Sequence, residues 1–204
     1  MLSPNQLSTM KNLQDYIAFD LEFNTVDEVS HMIQLSAVKF SDHKEIETFD
    51  TYVYTDVPLQ SFINGLTGIT AEKIAGAPKV DEVIANFATF VGELPLVGYN
   101  AGKSDLPILA ENGLDLTEQY QVDLYDEAFE RRSSDLNGII NLKLTSVADF
   151  LGIKGRGHNS LEDARMTALV YEKFLELDEN KRYLTQQEET HGDNPFAALG
   201  GFFD

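Results

Sequence analysis

Three segments of the chain set carboxylates, and in one case a histidine, at spacings that metal or acid–base chemistry requires. The first is Asp20-Leu21-Glu22, inside the run Tyr16-Ile17-Ala18-Phe19-Asp20-Leu21-Glu22-Phe23. Residues two apart on a strand point to the same face, so both carboxylates project together with their Cα atoms roughly 7 Å apart. Ile17, Ala18, Phe19 and Leu21 make this strand apolar on both faces, and acids in such a setting persist only with a metal or a basic partner. The competing explanation is a strand end that frays into solvent.

The second segment runs from Gly98 through Tyr99, Asn100, Ala101, Gly102, Lys103 and Ser104 to Asp105 and Leu106. A short strand enters a loop of small residues and then a helix start, which is where α/β proteins place binding groups. An acid in the first turn after a serine cap is explained equally well by the helix dipole. The third segment is Gly157-His158-Asn159-Ser160-Leu161-Glu162-Asp163. Ser160 and Asp163 match a capping box. Asp163 also shares a helical face with Thr167, Val170 and Phe174, beside a second apolar face of Leu161, Ala164, Ala168 and Tyr171, so it is expected to point inward. His158 follows the glycine-bearing loop Gly155-Arg156-Gly157 and is the residue type suited to take a proton from water near neutral pH. His31, His43 and His191 have no such context.

Composition narrows the chemistry. The chain has 204 residues and no cysteine, so disulfides, thiolate sites and a cysteine nucleophile are excluded. A metal site must use oxygen and imidazole ligands, which favours Mg²⁺ or Mn²⁺. The formal charge of −19 argues against tight binding to a long duplex. Carboxylates that gather cations invert that field locally, although a soluble acidic surface is the plainer explanation of the overall charge. The longest apolar runs, Leu94 to Val97 and Ile17 to Phe19, are far too short to span a bilayer, and Met1-Leu2-Ser3-Pro4 lacks the start of a signal peptide. No membrane association and a cytoplasmic location are expected.

The elements that must position these residues follow from periodicity. Tyr16 to Phe23, Met32 to Phe40 and Glu45 to Tyr54 read as three strands in an antiparallel meander, and Pro95 to Val97 as a fourth. Ala71 to Ile74, Asp81 to Val91, Ser104 to Glu111, Leu124 to Arg131, Leu144 to Phe150 and Ser160 to Leu177 carry helical spacing. Residues 1–14 read as an N-terminal extension, 15–178 as one α/β domain, and 179–204 as an acidic, flexible tail.

An Asp-x-Glu strand, an Asn-(four residues)-Asp helix start and a His-(four residues)-Asp helix start, in that order, resemble the three motifs of the DEDDh exonucleases. Members of that family include the proofreading epsilon subunit of bacterial DNA polymerase III. The segment Leu66-Thr67-Gly68-Ile69-Thr70, followed by Ala77-Pro78, is similar to the family as well, and the resemblance covers about residues 15–176. It implies a ribonuclease H-like mixed sheet, antiparallel in its first three strands and flanked by helices. It implies a 3′-to-5′ exonuclease that releases nucleoside 5′-monophosphates. Asp20, Glu22, Asp105 and Asp163 would hold two divalent cations, and His158 would deprotonate the attacking water. Leu21, Phe23 and Asn100 would contact the terminal nucleotide. The chain departs from the family pattern at Phe23, where threonine is frequent, at Tyr99 for histidine, at Ser104 for phenylalanine and at Ser160 for alanine. The charge favours single-stranded DNA or RNA 3′ ends or short oligonucleotides as partners. Two other readings remain open at this point: a catalytically silent nucleic-acid-binding or adaptor protein of the same fold, and a C-terminal segment, Asn194 to Phe203, that docks a protein partner.

Overall fold

The computed structural model describes residues 10–155 and 157–191. The expected docking segment from Asn194 to Phe203, Arg156 and most of the N-terminal extension lie outside the described residues. Strands β1 (Asp15–Val26), β2 (Val29–Ser41) and β3 (Lys44–Tyr52) form the meander. They are followed by α1 (Ser61–Thr67), α2 (Ala71–Ile74), α3 (Val80–Val91), β4 (Leu96–Gly98), α4 (Asp105–Glu111), β5 (Gln121–Asp123), α5 (Leu124–Glu130), α6 (Leu144–Phe150) and α7 (Ser160–His191). The sheet order is β3-β2-β1-β4-β5. β1 and β3 flank β2 in antiparallel fashion, whereas β4 runs parallel to β1 and β5 parallel to β4. The mixed α/β sheet of the expected fold class is therefore present.

The strands extend further than their apolar runs suggest. Asp27 and Glu28, then Asp42 and His43, have positive φ, the geometry of two-residue turns whose twist matches paired strands. Polar residues on either side of each turn are thereby drawn into the hairpins.

Alternation along β1 decides what each face does. Ile17, Phe19 and Leu21 point to one side and pack with Leu35, Ala37, Val83, Phe87 and Leu109. Tyr16 and Ala18 point to the other and pack with Val38, Phe40, Ala168, Tyr171 and Phe174 of the α7 side. Asp20 and Glu22 continue the Tyr16 and Ala18 row, so the same parity that builds the core aims both acids toward α7.

Two elements have no counterpart among the expected ones. β5 is three residues long with only Val122 buried, too short to show alternation. α1 buries Ile63 alone and leaves Phe62 and Leu66 exposed, so it carries no apolar stripe. A further difference concerns the C-terminal boundary: α7 continues to His191, into the stretch expected to be tail. Charge secures its later turns. The Arg131 guanidinium, 3% exposed, donates to both carboxylate oxygens of the buried Asp178 at 2.7 Å, and Lys181 Nζ lies 2.5 Å from Asp135 Oδ2. An apolar periodicity cannot register such contacts. On the N-terminal side, Met10 is buried, Tyr171 Oη donates to Lys11 O at 2.7 Å and accepts from Leu13 N–H at 2.9 Å, so residues 10–14 pack on α7. Among the described residues no helix is long and apolar enough to cross a membrane.

Removing one partner of a buried, bidentate ion pair strands the other charge, at a cost of about 3–5 kcal/mol. Arg131→Met is expected to lower the unfolding free energy by that amount in urea titrations; a loss below about 1 kcal/mol would show that the pair does not secure α7.

Candidate active site

β1 and α7 supply the centre of the site. Opposite Asp20 and Glu22 on β2 stand Ser36 and Gln34, and the register slips immediately afterwards, between Glu22 and Phe23, with Ile33 as the extra residue of β2. A bulge at that position re-aims the strand next to the acids. Phe23 continues the row of Ile17, Phe19 and Leu21 and packs, partly buried, against the α3-side core where Leu21 is buried, so of these two residues it is the backbone that borders the acids.

The start of α7 is fixed by contacts that differ from the expected capping box. Asn159 is the cap: its Oδ1 accepts from Glu162 N–H at 3.1 Å, and its carbonyl from Asp163 N–H at 2.8 Å. Ser160 is fully buried and donates its hydroxyl to the Asp20 carbonyl at 2.6 Å, riveting the helix onto β1 at the first acid. Asp163 is thereby released from capping duty. Its Oδ2 accepts the backbone N–H of His158 at 2.8 Å, while its buried Oδ1 has no hydrogen-bond partner among the described residues. His158 is exposed and held at φ 70°. A side chain at Gly157 would meet Thr145 Cγ2 at 2.7 Å, so only glycine lets the loop approach α6 this closely.

Oxygen atoms of Asp20, Glu22 and Asp163 all lie within 4.8 Å of one another. Asp105 is buried beside them but stands outside that group. Its Oδ1 accepts Leu21 N–H at 3.0 Å and its Oδ2 the Ser104 hydroxyl. Ser104, expected as the cap of α4, makes no capping hydrogen bond. The loop before it is tied down by Asp123, a residue the sequence did not single out. Asp123 Oδ1 accepts Asn100 N–H at 2.7 Å and Tyr125 N–H at 3.0 Å, and its Oδ2 accepts Gly102 N–H at 3.3 Å. Asn100 is thereby held at φ 58°, half-buried, with its backbone engaged. An aspartate directly before the helix expected from Leu124 is a cap signal that was open to reading, whereas the bonds from Asn100 and Gly102, 23 and 21 residues away, leave no trace in the sequence.

Electrostatics make this cluster unstable on its own. Burial, then the charges of Asp105, Asp163 and Glu22, pushes the Asp20 carboxyl well above its ordinary value. Burial and then the charges of Asp163 and Asp105 push Glu22 up to about 7. Burial raises Asp105 to about 6, against the pull of its hydrogen bonds from Ser104 and Leu21. Asp163 is raised by burial too, with the His158 N–H acting in the opposite direction. Among the described residues no lysine or arginine forms an ion pair with any of the four acids. An all-oxygen donor set with an unpartnered buried oxygen suits a hard divalent cation.

Residues 17–171 match the family described as Exonuclease. The chain belongs to that family. This exonuclease domain is 30% identical to DNA polymerase III subunit epsilon of Aquifex aeolicus, over 85% of this chain and 88% of that one. It is 32% identical to the PolC-type DNA polymerase III of Caldanaerobacter subterraneus, over 79% of this chain but only 12% of the much longer relative. Solved structures share the fold at low identity. E. coli exonuclease I in complex with a dT13 oligonucleotide has a TM-score of 0.68 and 17% identity, covering 83% of this chain and 42% of that one. The nuclease domain of 3′hExo, a DEDDh family member bound to rAMP, has a TM-score of 0.64 and 18% identity, covering 80% and 92%. Membership of the exonuclease family, expected from the three motifs, is therefore shown, and the solved structures share the fold.

The raised carboxyl groups fix the sign of a pH effect. A group whose pKa is higher folded than unfolded stabilises the fold below its unfolded value and loses that contribution as pH rises through the folded value. For Glu22 the window runs from 4.5 to about 7. Without metal, the melting temperature is expected to fall across this window, and Glu22→Gln to flatten the slope; a slope unaffected by that substitution would contradict the assignment.

Proposed function

We propose that this domain is a metal-dependent 3′-to-5′ exonuclease that removes nucleoside 5′-monophosphates from single-stranded DNA or RNA ends. The observation that carries the reading is the convergence of Asp20 and Glu22 on β1 with Asp163 on α7, their oxygens within 4.8 Å of one another, beside the exposed His158. Two divalent cations, Mg²⁺ or Mn²⁺, held by Asp20, Glu22, Asp105 and Asp163, would neutralise charge on the scissile phosphate and make hydroxide cheaper to form.

The chain's own groups then do the rest. His158 accepts a proton from the attacking water, whose oxygen bonds to phosphorus in line as the bond to the 3′ oxygen breaks. The departing 3′ oxygen takes a proton from solvent, and His158 returns its own there. The His158 N–H bond to Asp163 ties the loop that carries this base to the acidic cluster. Backbone around Leu21 and Phe23, and the half-buried Asn100, border the acids where the terminal nucleotide would lie.

Solved relatives hold a deoxyribonucleotide oligomer in one case and a ribonucleotide in the other, which supports a fold open to either sugar. The charge of −19 favours short or single-stranded substrates, or delivery by a partner. A relative that is named as a polymerase subunit supports the second of these, with the segment from Asn194 to Phe203 as the proposed dock. The expected cytoplasmic location accords with such a role.

Single-turnover digestion of end-labelled DNA and RNA oligonucleotides tests the reading. Stepwise shortening from the 3′ end should require Mg²⁺ or Mn²⁺ and vanish in Asp20→Ala. Removing the base, in His158→Ala, should slow it by roughly 10²- to 10⁴-fold. Failure to shorten either polymer with any metal would leave a silent binding protein of the same fold as the better account.

A further inference from the structure

We propose that the Ser104 hydroxyl is a latch on Asp105 that competes with a divalent cation for that carboxylate and so weakens this domain's affinity for the metal. The proposal rests on the reading of the acidic cluster as a cation site. Asp105 is 6% exposed, and its charge is the largest of those acting on Asp20, yet it stands outside the group formed by Asp20, Glu22 and Asp163. Both of its oxygens are already engaged, Oδ1 by Leu21 N–H at 3.0 Å and Oδ2 by the Ser104 hydroxyl.

These two donors differ in kind. The Leu21 N–H belongs to β1 and cannot turn away. Ser104 has one proton and two acceptors in reach, Asp105 Oδ2 and the Asn100 carbonyl at 3.2 Å. Rotation about the C–O bond moves the proton from Asp105 to the Asn100 carbonyl, which keeps the hydroxyl bonded and leaves Asp105 Oδ2 to the cation. The loop need not move, because Asp123 holds Asn100 N–H and Gly102 N–H, and Lys103 N–H bonds to the Asn100 carbonyl at 3.1 Å. Ser104 is also free for this use, since it caps no backbone N–H of α4. A hydroxyl donating to Oδ2 occupies one of that oxygen's lone pairs and takes up part of the charge that would hold a cation, so a cation that displaces it must offset the lost bond.

Calorimetric titration of Mn²⁺ into nucleic-acid-free wild type, Ser104→Ala, Ser104→Thr, Asp105→Ala and the double variant Ser104→Ala/Asp105→Ala tests this. Ser104→Ala is expected to lower the Kd roughly three- to tenfold, the size of one lost competing hydrogen bond. Ser104→Thr keeps the hydroxyl and should stay within about twofold of wild type. The gain should disappear on the Asp105→Ala background. Unchanged or weaker binding by Ser104→Ala would overturn the latch while leaving the cation site intact. A wild type that binds no Mn²⁺ would overturn the cation site and the latch together.

Discussion

Four carboxyl groups brought out of water beside one another repel, and among the described residues no lysine or arginine forms an ion pair with any of them. Burial and mutual repulsion act in the same direction, holding Glu22 up to about 7 and Asp20 well above its usual range. A fold retains such an arrangement only when something of opposite charge is expected there. The geometry around the site is a set of devices for imposing that unfavourable proximity. The Ser160 hydroxyl rivets α7 to the Asp20 carbonyl, Leu21 N–H fastens Asp105 to β1, and Asp123 tightens the loop that precedes α4.

The scaffold's contribution is mostly parity. One β1 row, Tyr16 and Ala18, packs beneath α7, and its continuation is Asp20 and Glu22. The other row, Ile17, Phe19 and Leu21, is committed to the α3 side. Slipping β1 by one residue would turn both acids into the opposite core, so the register that buries the apolar residues also fixes the site. The Arg131–Asp178 pair extends this control along α7, since the helix that carries Asp163 is held at both its first turn and its middle.

How much of this was legible in the sequence follows from which signals are local. The meander has runs of β-branched and aromatic residues, α3 and the first half of α7 have helical stripes, and the inward direction of Asp163 followed from Thr167, Val170 and Phe174, all buried. Local rules misplaced both caps. Ser160 and Ser104 stand where serines usually cap helices, yet the first bonds a carbonyl 140 residues away and the second bonds its own neighbouring acid. β5, α1 and the later turns of α7 depend on hydrogen bonds and ion pairs between distant segments, which leave no periodic trace. Asp123 belongs in part to the same class: beside its local cap on Tyr125 N–H, it accepts two backbone N–H groups, of Asn100 and Gly102, that only the folded loop brings to it.

The central claim is that the carboxylates of β1 and α7 exist to hold divalent cations. Anomalous diffraction from crystals grown with Mn²⁺ tests it directly. The account predicts a strong peak in contact with oxygens of Asp20, Glu22 and Asp163, the last through the Oδ1 that lacks a partner. A map with Mn²⁺ bound elsewhere and none between these carboxylates would contradict it.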